Sequence, residues 1–259
     1  MSNTAQLITP SPIGLIADIT ELFEKTFAHF SRTLKVNADD IPEETMSFHT
    51  WSSIDNFPTL IQKYRDEYYG DNDLKPNDKA LYSLWSQWYF GLIIPPMMLL
   101  LIEYPQTIDT HHKNFKVLFH HSGRPEVVYY QLKWQSQDPG TLLERYYLLL
   151  NHHVIPIAEK IESYQGINGR LLWNNIGYLM FWYLGEFKGR LGDDLYQSII
   201  NGLFMELSLP NGQDNPLYRT VMLRNGTLQR RSCCQRNKLP GVRSCHDCPL
   251  EKPPLNLIS

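Results

Sequence analysis

Apolar residues recur at helical spacing along most of the chain. From Ile13 to about Leu34, and again through "FPTLIQKYRDEYYG" up to Gly70, they fall every three or four positions, which predicts two amphipathic helices. "NDKALYSLWSQWYFGLII" opens with Asn77 and Asp78 as candidate caps and sets Leu81, Leu84, Trp85 and Trp88 along one side of a third. Rows of this kind belong to cores, so Trp85, Trp88 and Tyr89 are expected inside. Residues 141–162, 168–189 and 193–208 carry the same period, the last opening on Asp193 and Asp194 beside Gly192.

The pattern changes in two places. "FKVLFHH" and "EVVYYQLKW" are rich in β-branched and aromatic residues and flank "SGRP", which predicts a hairpin near 115–134. "TVMLRNGTLQRR" sets Asn225 and Gly226 between two short extended runs, the strongest short-range signal for a two-residue turn, and predicts a hairpin near 218–232. The fold class is therefore α+β, a predominantly helical body with two β-hairpins. Residues 1–210 read as the body and 211–259 as a hairpin plus C-terminal segment, packed as one unit.

The run "YFGLIIPPMMLLLI" is apolar throughout but fourteen residues long, short of the ~20 that cross a bilayer, and Pro95 and Pro96 interrupt it. It reads as a buried, kinked helix rather than a membrane span, which leaves peripheral membrane association open. The N-terminal stretch has no basic segment before an apolar core and no small-residue cleavage site, the pattern of a cytoplasmic chain with free thiols.

The 24 basic and 27 acidic side chains give a formal net charge of -3, so nucleic acid is not the expected partner. Arg219, Arg224, Arg230, Arg231, Arg236, Lys238 and Arg243 nevertheless concentrate within 25 positions, as a solvated basic face or beside an anionic group.

Within that stretch, "RRSCCQRNKLPGVRSCHDCP" holds every cysteine of the 259-residue chain: Cys233, Cys234, Cys245 and Cys248. Bridges among them would close only small C-terminal loops, so a disulfide framework is not expected. Four thiolates hold zinc or an iron-sulfur cluster. Cys245 and Cys248 form a Cys-x2-Cys knuckle of zinc type, but the adjacent pair Cys233 and Cys234 points in opposite directions on an extended backbone. Converging on one ion needs a local turn, whereas two irons relax that demand. Spacing alone leaves zinc and [2Fe-2S] open.

The pattern Cys-Cys-x10-Cys-x2-Cys near the C-terminus resembles that of the FhuF-type ferric siderophore reductases. The segments "LWSQWYFGLIIPPMM" (84–98), "INGRLLWNNIGYLMFWYL" (167–184) and "NGQDNPLYRTVMLRNG" (211–226) resemble that family in the same order. The resemblance implies a [2Fe-2S] cluster on Cys233, Cys234, Cys245 and Cys248, one-electron reduction of a ferric siderophore of hydroxamate type, and release of Fe2+ in the cytoplasm. Hard oxygen donors hold Fe2+ far less tightly than Fe3+, so reduction amounts to release. No G-x-G-x-x-G lies between a strand and a helix, so electrons are expected from an external ferredoxin, flavoprotein reductase or small reductant. The competing expectation is a zinc-stabilised protein that binds or hands on the chelate without redox activity. An iron-sulfur sensor is disfavoured because no helix-turn-helix stands out.

His246 lies inside the terminal knuckle and reads as a bystander or a hydrogen-bond donor to the cluster. His111 and His112, His120 and His121, and His152 and His153 are adjacent pairs that face different ways and read as structural. Arg224, Arg230, Arg231 and Arg236 are the substrate-binding candidates, being nearest in sequence to the cysteines and matched to oxygen-rich anions. Trp85, Trp173 and Trp182 are the candidate walls of a pocket.

Overall fold

A computed structural model describes residues 12–70, 75–104, 108–133, 140–224, 227–245 and 248–250. The first predicted helix is two, α1 (Pro12–Thr26) and α2 (Ala28–Thr33), because Phe27 adopts extended φ of -144°. Its ring packs against Tyr183 and Phe187, each with centroids 5.9 Å away, a contact that local periodicity cannot register. Leu34 then leaves the helix as the first residue of strand β1 (Leu34–Val36).

After β2 (Met46–Ser47) come α3 (Phe48–Trp51), α4 (Asn56–Tyr69) and α5 (Asp78–Glu103). The Asn77 side chain accepts a hydrogen bond from the Ala80 N–H at 3.1 Å and so caps α5. This helix passes through the middle of the molecule, with α4, α8 (Gly169–Glu186) and the sheet packed against it. It continues through Pro95 and Pro96, both fully enclosed, so packing on all sides offsets the helix hydrogen bonds that proline cannot make. By length and composition α5 would cross a membrane, yet 72% of its apolar window is buried inside the fold. That burial explains the apolar run without a bilayer.

Strands β3 (Phe115–Phe119) and β4 (Pro125–Tyr130) form the first expected hairpin, with Val117 opposite Val128. The pattern did not reveal the two outer strands. β1 pairs parallel to β4 and β2 antiparallel to β3, giving the order β1-β4-β3-β2. At the β3–β4 turn Gly123 takes φ of +77°, and a Cβ there would lie 2.1 Å from the Leu60 carbonyl oxygen. The same residue's carbonyl accepts a 2.9 Å hydrogen bond from the Trp85 indole, pinning the turn to α4 and α5.

The helical stretch from residue 141 is also divided. α6 (Leu142–Leu149) opens on a Thr141/Glu144 capping box, passes through a π-turn at Leu150–Val154, and resumes as α7 (Ile155–Ser163). The chain then forms α8, α9 (Lys188–Leu191), α10 (Asp193–Phe204) and the second hairpin, β5 (Val221–Arg224) with β6 (Thr227–Arg230). The Asn225-Gly226 turn itself lies outside the described residues.

Gly177 on α8 lets this second hairpin dock. A Cβ there would sit 2.0 Å from Thr220 Oγ1, one residue before β5. Glycine to alanine in an open helix gains about 1 kcal/mol. Here the overlap outweighs it, and Gly177→Ala is expected to lower stability by roughly 1–3 kcal/mol in urea unfolding. A variant as stable as the parent or more so would show that hairpin and helix do not meet this closely.

Candidate metal centre and adjoining cavity

Beyond β6, polar side chains from α5 and α8 fix the path of the cysteine segment. The Arg231 N–H bonds the Thr220 carbonyl at 2.9 Å and extends the hairpin ladder by one step. Asn174 Nδ2 donates to Ser232 Oγ at 2.7 Å, and Ser83 Oγ donates to the Cys234 carbonyl at 2.7 Å. Asn175 Nδ2 donates in turn to Ser83 Oγ at 2.8 Å. These three residues are buried, so each bond fills a group that would otherwise be left without a partner. Sequence reasoning missed all three. The available signal was polar residues placed among apolar ones, Ser83 between Tyr82 and Leu84 and Asn174-Asn175 within "LLWNNIGYLM".

The turn that the adjacent cysteines require is present. Gln235 adopts left-handed φ of +63°, and its N–H points back to Cys233 Sγ at 3.2 Å. A short 3-10 turn, Arg236–Lys238, follows, and Leu239 is buried against the core. The Cys248 N–H reaches the Cys245 carbonyl at 3.2 Å, closing the terminal knuckle. Cys234 and Cys248 are buried while Cys233 and Cys245 are partly open to solvent. His246 falls outside the described residues.

Cys233 has Cys234 and Cys248 as thiol neighbours, and Cys245 likewise has Cys234 and Cys248. Burial, more than any neighbour, pushes the Cys245 thiol up to about 12, with Cys234 and Cys248 adding to the shift and Arg230 opposing it. Burial likewise raises Cys233, against the Gln235 N–H. A cluster of like, buried acids holds protons unless positive metal replaces them. Among the described residues no three His, Cys, Asp or Glu side chains converge tightly enough for one metal ion. Four cysteines could supply two protein ligands to each iron of a two-iron group.

A cavity of about 460 Å³ lies beside this segment, within the range of small-molecule sites. Trp88, Trp182, Tyr178 and Leu179 form its apolar walls, and Arg230 and Arg236 reach it from the cysteine side. Of the candidate arginines, Arg224 and Arg231 do not line it: Arg224 Nη2 bonds the Arg231 carbonyl at 2.8 Å, and the Arg231 side chain is exposed. Trp182 takes the role expected of a wall, whereas Trp173 is outside the lining and Trp85 is fully enclosed beside Trp51 and Phe57. Trp88, expected in the core, is 41% exposed with the Arg124 guanidinium 4.9 Å above its ring. The helix is covered on nearly every side, and its open strip happens to include this one member of the aromatic row.

Residues 83–228 match the family described as ferric iron reductase FhuF-like transporter, and residues 230–250 match the FhuF 2Fe-2S C-terminal domain. The ferric siderophore reductase of Escherichia coli (strain K12) is 39% identical over 212 residues, 81% of this chain and 81% of that protein. The chain belongs to the FhuF family. Among solved structures, aerobactin synthetase IucC from a hypervirulent pathotype of Klebsiella pneumoniae matches with a TM-score of 0.45 and 15% identity. The match covers 69% of this chain and 37% of that one. The FhuF assignment makes [2Fe-2S] the cofactor and excludes the zinc expectation. The boundary between the two family segments falls within β6, just before α5 and α8 take hold of the chain at Ser232 and Cys234.

Proposed function

We propose that this chain is a ferric siderophore reductase in which Cys233, Cys234, Cys245 and Cys248 hold the [2Fe-2S] group and the Trp88/Trp182 cavity receives the chelate. The observation that carries the reading is the position of Arg230 and Arg236, which belong to the cysteine segment yet line the cavity. A chelate seated there would touch two side chains of the segment that carries the cysteines. The name of the Escherichia coli relative supports the substrate class.

When bound, the [2Fe-2S] group supplies one electron at a time. The electron so supplied would convert the chelated Fe3+ to Fe2+, which oxygen donors hold far less tightly and would release in the cytoplasm. The chain's own residues do the positioning. Ser83, Asn174 and Ser232 anchor the cysteine segment, while the tryptophans and Tyr178 cover the organic backbone of the chelate and exclude water. Arg230 and Arg236 in a mostly apolar wall suit a neutral or anionic chelate, and the family resemblance, not the wall, favours the hydroxamate type. The electron donor is external, a ferredoxin, flavoprotein or small reductant.

Stopped-flow oxidation of the dithionite-reduced protein by a ferric hydroxamate tests the reading. Trp182→Ala is expected to lower the second-order rate at least tenfold while the visible spectrum of the protein stays that of the parent. Oxidation at the parent rate would place the chelate elsewhere, and no oxidation by any ferric siderophore would remove the activity.

A further inference from the structure

Arg230 is buried to 7% exposure, and its surroundings contain no carboxylate partner among the described residues. Its guanidinium lies 4.4 Å above the Tyr178 ring, and Nη1 donates to Asn175 Oδ1 at 3.3 Å. No described residue accepts from its Nε. A buried cation ordinarily finds an anion, because an isolated one loses hydration without return. The residue belongs to the last position of β6, three places before Cys233, and Val221 lies opposite it in the ladder. Its side chain is therefore held by a paired strand rather than a loose tail.

Two routes connect it to the cysteines. One is a chain of buried hydrogen bonds, from Arg230 through Asn175 and Ser83 to the Cys234 carbonyl. The other is the chain itself, since Arg230 ends the paired strand three residues before Cys233. The anionic group that the cysteine set would form is thus the one to which this unpaired cation is tied. Four thiolates around a [2Fe-2S] group carry net negative charge, which grows by one on reduction, so a cation fixed nearby favours the reduced state.

We infer that Arg230 is a positioning and tuning residue for the iron-sulfur group, raising its reduction potential with an unscreened buried charge, and is not chiefly a grip on the siderophore. The inference rests on the ligand assignment proposed above. It changes what substitution of Arg230 should do: the effect appears in the protein without any siderophore present. Because the same guanidinium borders the cavity, a ligand there that draws on Arg230 weakens its hold on the reduced state and favours electron release. Affinity and potential are linked reciprocally.

The test is a spectroelectrochemical titration of the cluster-loaded protein with no siderophore. Arg230→Gln is expected to weaken the one-electron reduction equilibrium at least tenfold, a drop of about 59 mV or more in midpoint. Arg230→Lys, which keeps the charge, should recover most of that drop. Arg219→Gln removes an exposed cation of the same segment, screened by water and salt, and should leave the equilibrium within twofold. If Arg230→Gln does not load iron, Asn175→Asp keeps the guanidinium in place and cancels its field with a buried carboxylate, and the midpoint should again fall. A midpoint unchanged in whichever of these two variants loads, or one that falls as far in Arg230→Lys as in Arg230→Gln, overturns the inference. Failure of the siderophore reaction with the midpoint shift intact would instead count against the cavity reading alone.

Discussion

Cys234→Ser protein is expected to leave purification nearly colourless, with iron content at least tenfold below the parent. A serine hydroxyl stays protonated near neutral pH and is a harder donor than thiolate. Cys234 is 1% exposed and its carbonyl is tied to Ser83, so the site cannot move to a more favourable ligand without breaking a buried hydrogen bond. Cys248 is comparably buried and should behave alike. Replacing Cys233 or Cys245 should be less severe, with a residual, labile chromophore, because solvent reaches both and water can complete the ligand set. The far-UV circular dichroism should persist in all four variants, since every described α-helix lies before residue 205. A variant that keeps full iron would remove that cysteine from the ligand set. Loss of helical signal along with the iron would mean that the helices need the metal to fold.

How much of this arrangement could be read from the chain depended on the distance between partners. α5, α8 and both hairpins were legible because period 3.6 and period 2 are local signals, and the cysteines were legible by spacing. β1 and β2 are three and two residues long, too short to alternate, and their partners lie about 70 to 95 positions away. The break at Phe27 escaped notice because apolar spacing continues across it, and only the rings of Tyr183 and Phe187 explain the extended backbone. The same limit applied to the site. The four arginines look equivalent in sequence, but strand alternation turns Arg230 inward and Arg231 outward. Ser83 and Asn175 belong to no motif. Their function as anchors exists only because Cys234, 151 residues after Ser83, returns to α5.

Acid should reveal a buried histidine in the core between α5 and β3. The π-turn at Leu150–Val154 inserts one residue into the helix and directs His153 inward, where it is 0% exposed. Its Nε2 lies 3.3 Å from the Tyr89 hydroxyl and its ring packs edge-on against Phe115 with centroids 4.5 Å apart. Burial is the main cause that pushes its pKa down to about 3, with the charges of His112 and His111 adding to it and a Thr110 backbone contact opposing. The folded value is therefore below the unfolded one of ~6.5, so folding keeps His153 neutral while the unfolded chain takes up a proton. The penalty is absent above pH ~6.5 and grows as pH falls from there toward 3. Between pH 7 and pH 4 it amounts to ~3 kcal/mol at 1.36 kcal/mol per unit. His153→Gln removes the titration at the cost of some packing, so the variant should be less stable than the parent at pH 7. The difference should then shrink by about that amount, or reverse, at pH 4. Urea unfolding of both proteins across this range reads the difference directly, with titration of all other groups common to the two. A gap that stays constant with pH would mean that His153 takes up its proton in the folded protein as readily as in the unfolded chain.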